Sequence, residues 1–281
     1  IESFYDKCKI PIVTTFHSAY TVKQWFSLVP TKTNRRNANA TKLLLCRVGD
    51  YWKRLINYRS FHKLNKNKLK NGRSGIVFSY YMSKMIDGGL DKGDIKIIYH
   101  GAEPAARITK KEARARFSLP QEGQIALAVG FRTATKGWDI LEKMNVPKGW
   151  TIVVSSSENH YIKYDLQLRV GNKSNIIILQ NDFLSESDLS SLFYASDATI
   201  LPYKVSSASG VMFDGLAHGL PFVATDLEFF REFSDQGLGI TVRRNPSAFS
   251  SGLVSLTSNY ACYRESVDIF KKKLNWRAVA I

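Results

Sequence analysis

Two short stretches of this sequence carry the residue types that handle phosphorylated ligands. The first is Val129-Gly130-Phe131-Arg132-Thr133-Ala134-Thr135-Lys136-Gly137. It sets two cations just beyond an apolar run, and Arg132 with Lys136 could neutralise a diphosphate without a metal ion. The second runs from Leu201 to Asp226, LPYKVSSASGVMFDGLAHGLPFVATD. Its Ser-rich loop leads to Gly210, which opens a predicted helix that stops near His218-Gly219. Free backbone N–H groups at a helix start attract anions. Ser206, Ser207, Ser209 and Gly210 are small enough to let a phosphate come close, with Val211 next to them. Asp214 lies one turn inside, where a carboxylate could accept hydrogen bonds from sugar hydroxyls and where the helix dipole should favour its charged form. An ordinary capped helix would read the same way from these residues alone.

The surrounding chain alternates strands and helices. Near-continuous apolar runs at 10–15, 75–79, 95–99, 125–129, 151–154, 176–179, 198–201 and 222–225 read as strands covered on both faces. Thr109 with Glu112, and Ser185 with Asp188, read as helix starts. The spacing predicts an α/β fold with doubly wound parallel sheets. Three parts are expected. Residues 1–104 form a partial first Rossmann-like domain, 105–258 form a second, and 259–281 form a helical segment returning to the first. The expected break follows His100-Gly101-Ala102-Glu103-Pro104.

Composition narrows the partners. The chain has 281 residues, 44% hydrophobic and 23% charged, which excludes a disordered or collagen-like chain. Lys and Arg number 40 against 24 Asp and Glu, for a net charge of +16. An acidic partner follows: nucleic acid, anionic lipid or a phosphorylated substrate. Cys8, Cys46 and Cys262 are too scattered for a disulfide framework or a zinc site, which favours a reducing, cytoplasmic setting. No Asp-x-Asp occurs, so no metal and no cofactor is expected. No apolar run reaches the ~20 residues of a membrane span, and no signal-peptide pattern opens the chain.

The motifs, taken in order, resemble those of the retaining glycosyltransferases of family 4, which have the GT-B fold of two Rossmann-like domains facing across a cleft. Gly130–Gly137 is similar to the family's G-R-x(3–4)-K-G loop, with Phe131 inserted. Pro202–Ala224 resembles its donor-binding stretch. Thr14-Thr15-Phe16-His17 resembles T-x-H, and Ile97–Ala102 resembles the interdomain strand and loop. Ser191–Asp197 resembles L-Y-(x)2-A-D, and Asn275-Trp276 resembles the final S-W. The resemblance implies transfer of a sugar, with retention of configuration, from a UDP- or GDP-sugar to a glycan or lipid-linked acceptor. It implies catalytic roles for His17, Arg132 and Lys136. It implies donor contacts from Arg132, Lys136, Ser206, Ser209, Gly210, Val211 and Asp214. The chain departs from the family where Ser206 and Asp214 replace a Glu pair and Glu228-Phe229 replaces Gly-Gly. It is also short: family members carry about 100 more residues before the His strand, so the first domain is read as truncated.

Residues 31–73 hold 13 Lys and Arg against one acid, Asp50. With Leu43, Leu44, Leu45, Val48, Tyr51, Trp52, Leu55, Ile56 and Tyr58, they read either as an amphipathic helix docking on the anionic inner face of a membrane or as a core helix with a solvated basic face. Nucleic acid is disfavoured, since no recognition module is present. Two other readings stay open: an inactive transferase-like scaffold that binds nucleotides or membranes, and a GT-B epimerase.

Overall fold

The computed structural model describes residues 12–28, 40–69, 73–87, 95–105, 107–157, 175–180 and 184–279. The beginning of the strand expected at 10–15, the basic residues before 40, Lys70 and Cys8 lie outside them. The chain divides into two compact units, Ile1–Ile98 and Tyr99–Ile281. The division falls earlier than the expected break after Pro104, and the reason is physical. Tyr99 lies 5.8 Å from Phe233 and 5.2 Å from Phe270, centroid to centroid. The Ala102 N–H donates to Leu274 O at 2.9 Å, and the Trp276 N–H donates to the Glu103 carboxylate at 3.1 Å. The 99–103 segment is thereby built into the second unit.

The first unit contains a parallel sheet in the order β1 (Val13–Thr15), β2 (Ser74–Val77), β3 (Ile95–Ile97). Its helices are α1 (Val22–Leu28), the 29-residue α2 (Ala40–Lys68) and α3 (Tyr80–Asp87). Helix α2 is held to α1 by aromatic packing. Trp25 stacks near Phe61 at 5.2 Å and Phe26 near Tyr51 at 5.0 Å. The Trp25 indole N–H donates to Arg54 O at 3.2 Å. One face of α2 is therefore part of the unit's core. Another face stays open: Trp52, Ile56, Arg59 and Lys63 are all exposed, and their spacing of four, three and four residues puts them in one stripe. No helix among the described residues is long and apolar enough to cross a membrane.

Among the described residues, the second unit has six parallel strands: β4 (Gln124–Phe131), β5 (Trp150–Ser157), β6 (Ile176–Gln180), β7 (Ala198–Leu201), β8 (Phe222–Thr225) and β9 (Gly239–Val242). Their spatial order is β6-β5-β4-β7-β8-β9. The chain winds outward one way from β4, then returns to start the other half at β7. This is a doubly wound sheet with its switch between β4 and β7. The helices are α4 (Lys110–Arg116), α5 (Trp138–Lys143), α6 (Glu186–Ala195), α7 (Gly210–Ala217), α8 (Glu228–Ser234), α9 (Pro246–Ser258), α10 (Tyr260–Phe270) and α11 (Trp276–Val279). Side chains alternate along β4. Ile125 and Leu127 face a cluster with Ala113, Leu192 and Phe193; Ala126 and Ala128 face one with Trp138, Leu141, Phe249 and Leu253. Burial on both faces explains the unbroken apolar runs.

Two caps hold as the sequence predicts. Thr109 and Glu112 form a reciprocal capping box, and Ser185 accepts from the Asp188 N–H. A buried ion pair ties the layers together: the Arg114 guanidinium donates to Asp197 at 2.8 Å and to the carbonyls of Ala195, Gln121 and Gly123. The same Asp197 carboxylate accepts from the Ile125 N–H at 2.8 Å and from Lys110 at 2.6 Å.

Candidate functional site

The two motif loops, distant in sequence, are joined in space. They leave the carboxyl ends of β4 and β7, neighbours in the middle of the sheet. The Lys204 N–H donates to Thr135 O at 2.8 Å. Gly137 adopts φ +78°, and a Cβ there would fall 1.7 Å from Pro202 O, so only glycine lets the loops meet. Lys136 Nζ donates to the Tyr203 hydroxyl at 2.9 Å and lies 4.1 Å from the centre of that ring. Its stem runs over Gly130, where a Cβ would meet Lys136 Cε at 3.2 Å. Arg132 sits on the same loop, fixed by its N–H to Ser157 O at the end of β5. An ammonium has three donors, so the bond to Tyr203 leaves Lys136 able to take phosphate oxygens.

The Ser-rich loop is largely buried; Ser206, Ser207 and Ser209 are 5%, 3% and 5% exposed. Ser206 Oγ donates to Ala208 O at 3.1 Å. Ser209 is the N-cap of α7, its Oγ accepting from the Met212 N–H at 3.2 Å. The hydroxyls of Ser206 and Ser209 thus shape the loop, while the backbone N–H groups of Gly210 and Val211 donate to no acceptor among the described residues. Open space surrounds Gly210, where an added Cβ would meet nothing within 4 Å.

Burial pushes the Asp214 pKa up to about 6, with His100 pulling the other way, so the carboxyl group is still mostly ionised at neutral pH. No described residue donates a hydrogen bond to its carboxylate. His100 stacks on Phe213 at 6.2 Å with the rings 13° apart. A half-buried carboxylate without donors, one turn into the helix that the loop of small residues opens, suits hydroxyl groups brought by a ligand.

His17 belongs to the first unit. It is exposed just past β1, 5.4 Å from the Phe78 ring that follows β2. Arg132, Lys136, Ser206, Ser209, Gly210, Val211 and Asp214 all belong to the second unit. Sequence reasoning missed Tyr203 and His100. Tyr203 follows a strand end, a signal only once β4 and β7 are known to be neighbours.

Residues 130–259 match the family described as Glycosyl transferases group 1. No curated protein sequence matches the chain. Among solved structures, it is similar to sucrose-phosphate synthase from Thermosynechococcus elongatus, with TM-score 0.69 and 15% identity, covering 99% of this chain and 67% of that one. It is similar to WaaG, a glycosyltransferase involved in lipopolysaccharide biosynthesis, with TM-score 0.63 and 14% identity over 95% and 71% of the two chains. It is also similar to Anabaena HepE in complex with UDP-glucose, with TM-score 0.62 and 14% identity over 96% and 70%. For a glycosyltransferase from Rickettsia africae, with TM-score 0.59 and 17% identity, the chain spans only 64% of the other's length. The chain thus has the GT-B fold of two Rossmann-like units, and its residues 130–259 match Glycosyl transferases group 1.

Proposed function

We propose that this protein is a retaining, metal-independent glycosyltransferase that uses a nucleotide-diphosphate sugar, UDP- or GDP-linked, and passes the sugar to a glycan or lipid-linked acceptor. The observation that carries this reading is the pair of loops locked together at the β4–β7 switch, where open α/β sheets take nucleotides. The UDP-glucose bound by Anabaena HepE supports the donor class.

In this reading Arg132 and Lys136 bind the diphosphate and stabilise charge that builds on it as the bond to the anomeric carbon breaks. The Gly210 and Val211 N–H groups hold phosphate or sugar oxygens, and Asp214 holds the ribose. The acceptor oxygen attacks from the face the phosphate leaves. Its proton passes to a phosphate oxygen, releasing the nucleoside diphosphate, so no general-base pair is required. His17 is assigned to the donor sugar on its motif. The exposed stripe of Trp52, Ile56, Arg59 and Lys63 favours a peripheral seat on an anionic membrane, on the cytoplasmic side. Donor turnover with UDP- and GDP-sugars, in EDTA and with the product anomer read by NMR, tests the reading. Turnover in EDTA giving the donor's own anomeric configuration is expected. An absolute need for Mg²⁺, or an inverted product, would overturn the mechanism.

A further inference from the structure

A cavity of about 1080 Å³ opens in the second unit, away from the donor loops. Ser196 and Leu220 line it, and they directly precede β7 and β8, so it lies at the amino ends of strands whose carboxyl ends carry the candidate donor site. Among the described residues, six cations line it, Arg107, Lys110, Arg264, Lys271, Lys272 and Arg277, against the single carboxylate of Glu103.

Some of this charge is already answered. Lys110 pairs with Asp197 at 2.6 Å, and Lys271 pairs with Asp268 at 2.5 Å. Arg264 donates to Gly219 O, and Glu103 accepts from the Trp276 N–H. Arg107, Lys272 and Arg277 make no hydrogen bond or ion pair through their side chains among the described residues. Lysines just past the end of α10 are explained by the helix dipole alone. Arg107 and Arg277 are not, because they reach the cavity from the segment before α4 and from α11. Like charges brought together from separate segments repel, so the convergence costs stability that a bound anion would return.

We propose that this cavity is a second anion site, taking a ligand with two neighbouring phosphate groups, either free or at the head of a lipid. The count of charges sets the number of phosphates. Arg107, Lys272, Arg277 and the partly engaged Arg264, less Glu103, leave an excess of three. One phosphate carries about −1.5 to −2, so two match the site. The wall of Tyr194, Ala217, Leu220 and Tyr260 gives a non-polar remainder a surface.

The test uses the whole chain carrying Arg132→Ala and Lys136→Ala, so that the donor loops do not contribute. Inorganic pyrophosphate is titrated calorimetrically, and vesicles of a neutral lipid doped with a diphosphate-headed lipid form a second arm. The triple change Arg107→Gln, Lys272→Gln, Arg277→Gln should weaken binding in at least one arm tenfold or more; the responding arm names the source. Inorganic phosphate should bind at least tenfold more weakly than pyrophosphate. The three side chains are exposed and their mutual repulsion is relieved, so the triple variant should keep or raise its melting temperature, and Arg277→Gln alone, expected to weaken binding severalfold, stands in if the melting temperature falls. The proposal is overturned by binding in both arms that ignores these substitutions, by no binding in either arm, or by equal affinity for phosphate and pyrophosphate. None of these outcomes depends on UDP binding at Arg132 and Lys136, so this site and the donor site fail separately.

Discussion

Replacing Asp214 by Asn should stabilise the ligand-free protein at neutral pH. The carboxyl group titrates at about 6 in the folded chain against an ordinary 3.8, because burial penalises its charge. That difference of roughly two units, at 1.36 kcal/mol each, makes the ionised group cost about 3 kcal/mol. The sign follows from linkage. A raised folded-state pKa means that the folded protein holds the proton more tightly than the unfolded chain. The associated stability is present in full below about pH 4 and is lost as pH rises through about 6. Asn does not titrate, so its own packing adds only a constant offset. Urea unfolding of both proteins from pH 4 to pH 8 should show the variant gaining about 2–3 kcal/mol on the wild type across that range, nearly all of it between pH 4 and 7. Parallel curves would refute the reasoning, because the carboxylate would then feel no burial. UDP affinity supplies the functional half of the prediction. It should fall by about 1–2 kcal/mol in the variant, the scale of a charge-assisted hydrogen bond. The ratio of wild-type to variant affinity should rise from pH 5 to pH 7, a comparison that removes the nucleotide's own titration.

Arg132→Ala and Lys136→Ala should each weaken UDP or GDP binding by about 1.5–3 kcal/mol in calorimetry; unchanged affinity in both would place the diphosphate elsewhere. Arg114→Ala should cost about 3 kcal/mol or more in urea unfolding, since it leaves four buried carbonyl contacts empty and Asp197 with only Lys110 and the Ile125 N–H. Gly137→Ala should cost about 3 kcal/mol or more, because its methyl would overlap Pro202 O and its φ is +78°; a wild-type melting temperature would contradict this. Sedimentation with vesicles should show binding that grows with anionic lipid and falls with salt, and Arg59→Gln with Lys63→Gln should reduce it while leaving UDP affinity intact.

What the sequence revealed, and what it hid, follows from where the forces act. Strands β4, β5, β7 and β8 were legible because both faces are buried, which forces unbroken apolar runs. β9 was missed: Gly239–Val242 is a short outer strand with one small and one polar residue. Caps at Thr109 and Ser185 were legible because the contact spans three residues. The Lys136–Tyr203 bond was not, because it depends on β4 and β7 lying side by side. The place of Asp214 in its helix could be read from the residues, but its burial could not, and burial sets where its proton is lost. The division after Ile98 was hidden in the same way: Tyr99 looks like the end of a strand until its ring is seen among Phe213, Phe233 and Phe270.

The β4–β7 seam has a consequence for how the protein acquires its shape. Ala126 pairs with Ala198 and Leu127 with Thr199, on strands that have β5 and β6 between them in sequence. Closing so long a loop is entropically costly and slow, and its reward comes only once the partner strand has formed. Helices and the β4–β5 pair can assemble earlier from local contacts, but the Gly137–Pro202 junction cannot. In a refolding experiment, recovery of nucleotide binding should therefore trail the recovery of helical signal. A nucleotide gripping both loops would recognise only the completed sheet, holding shut the last joint the chain makes.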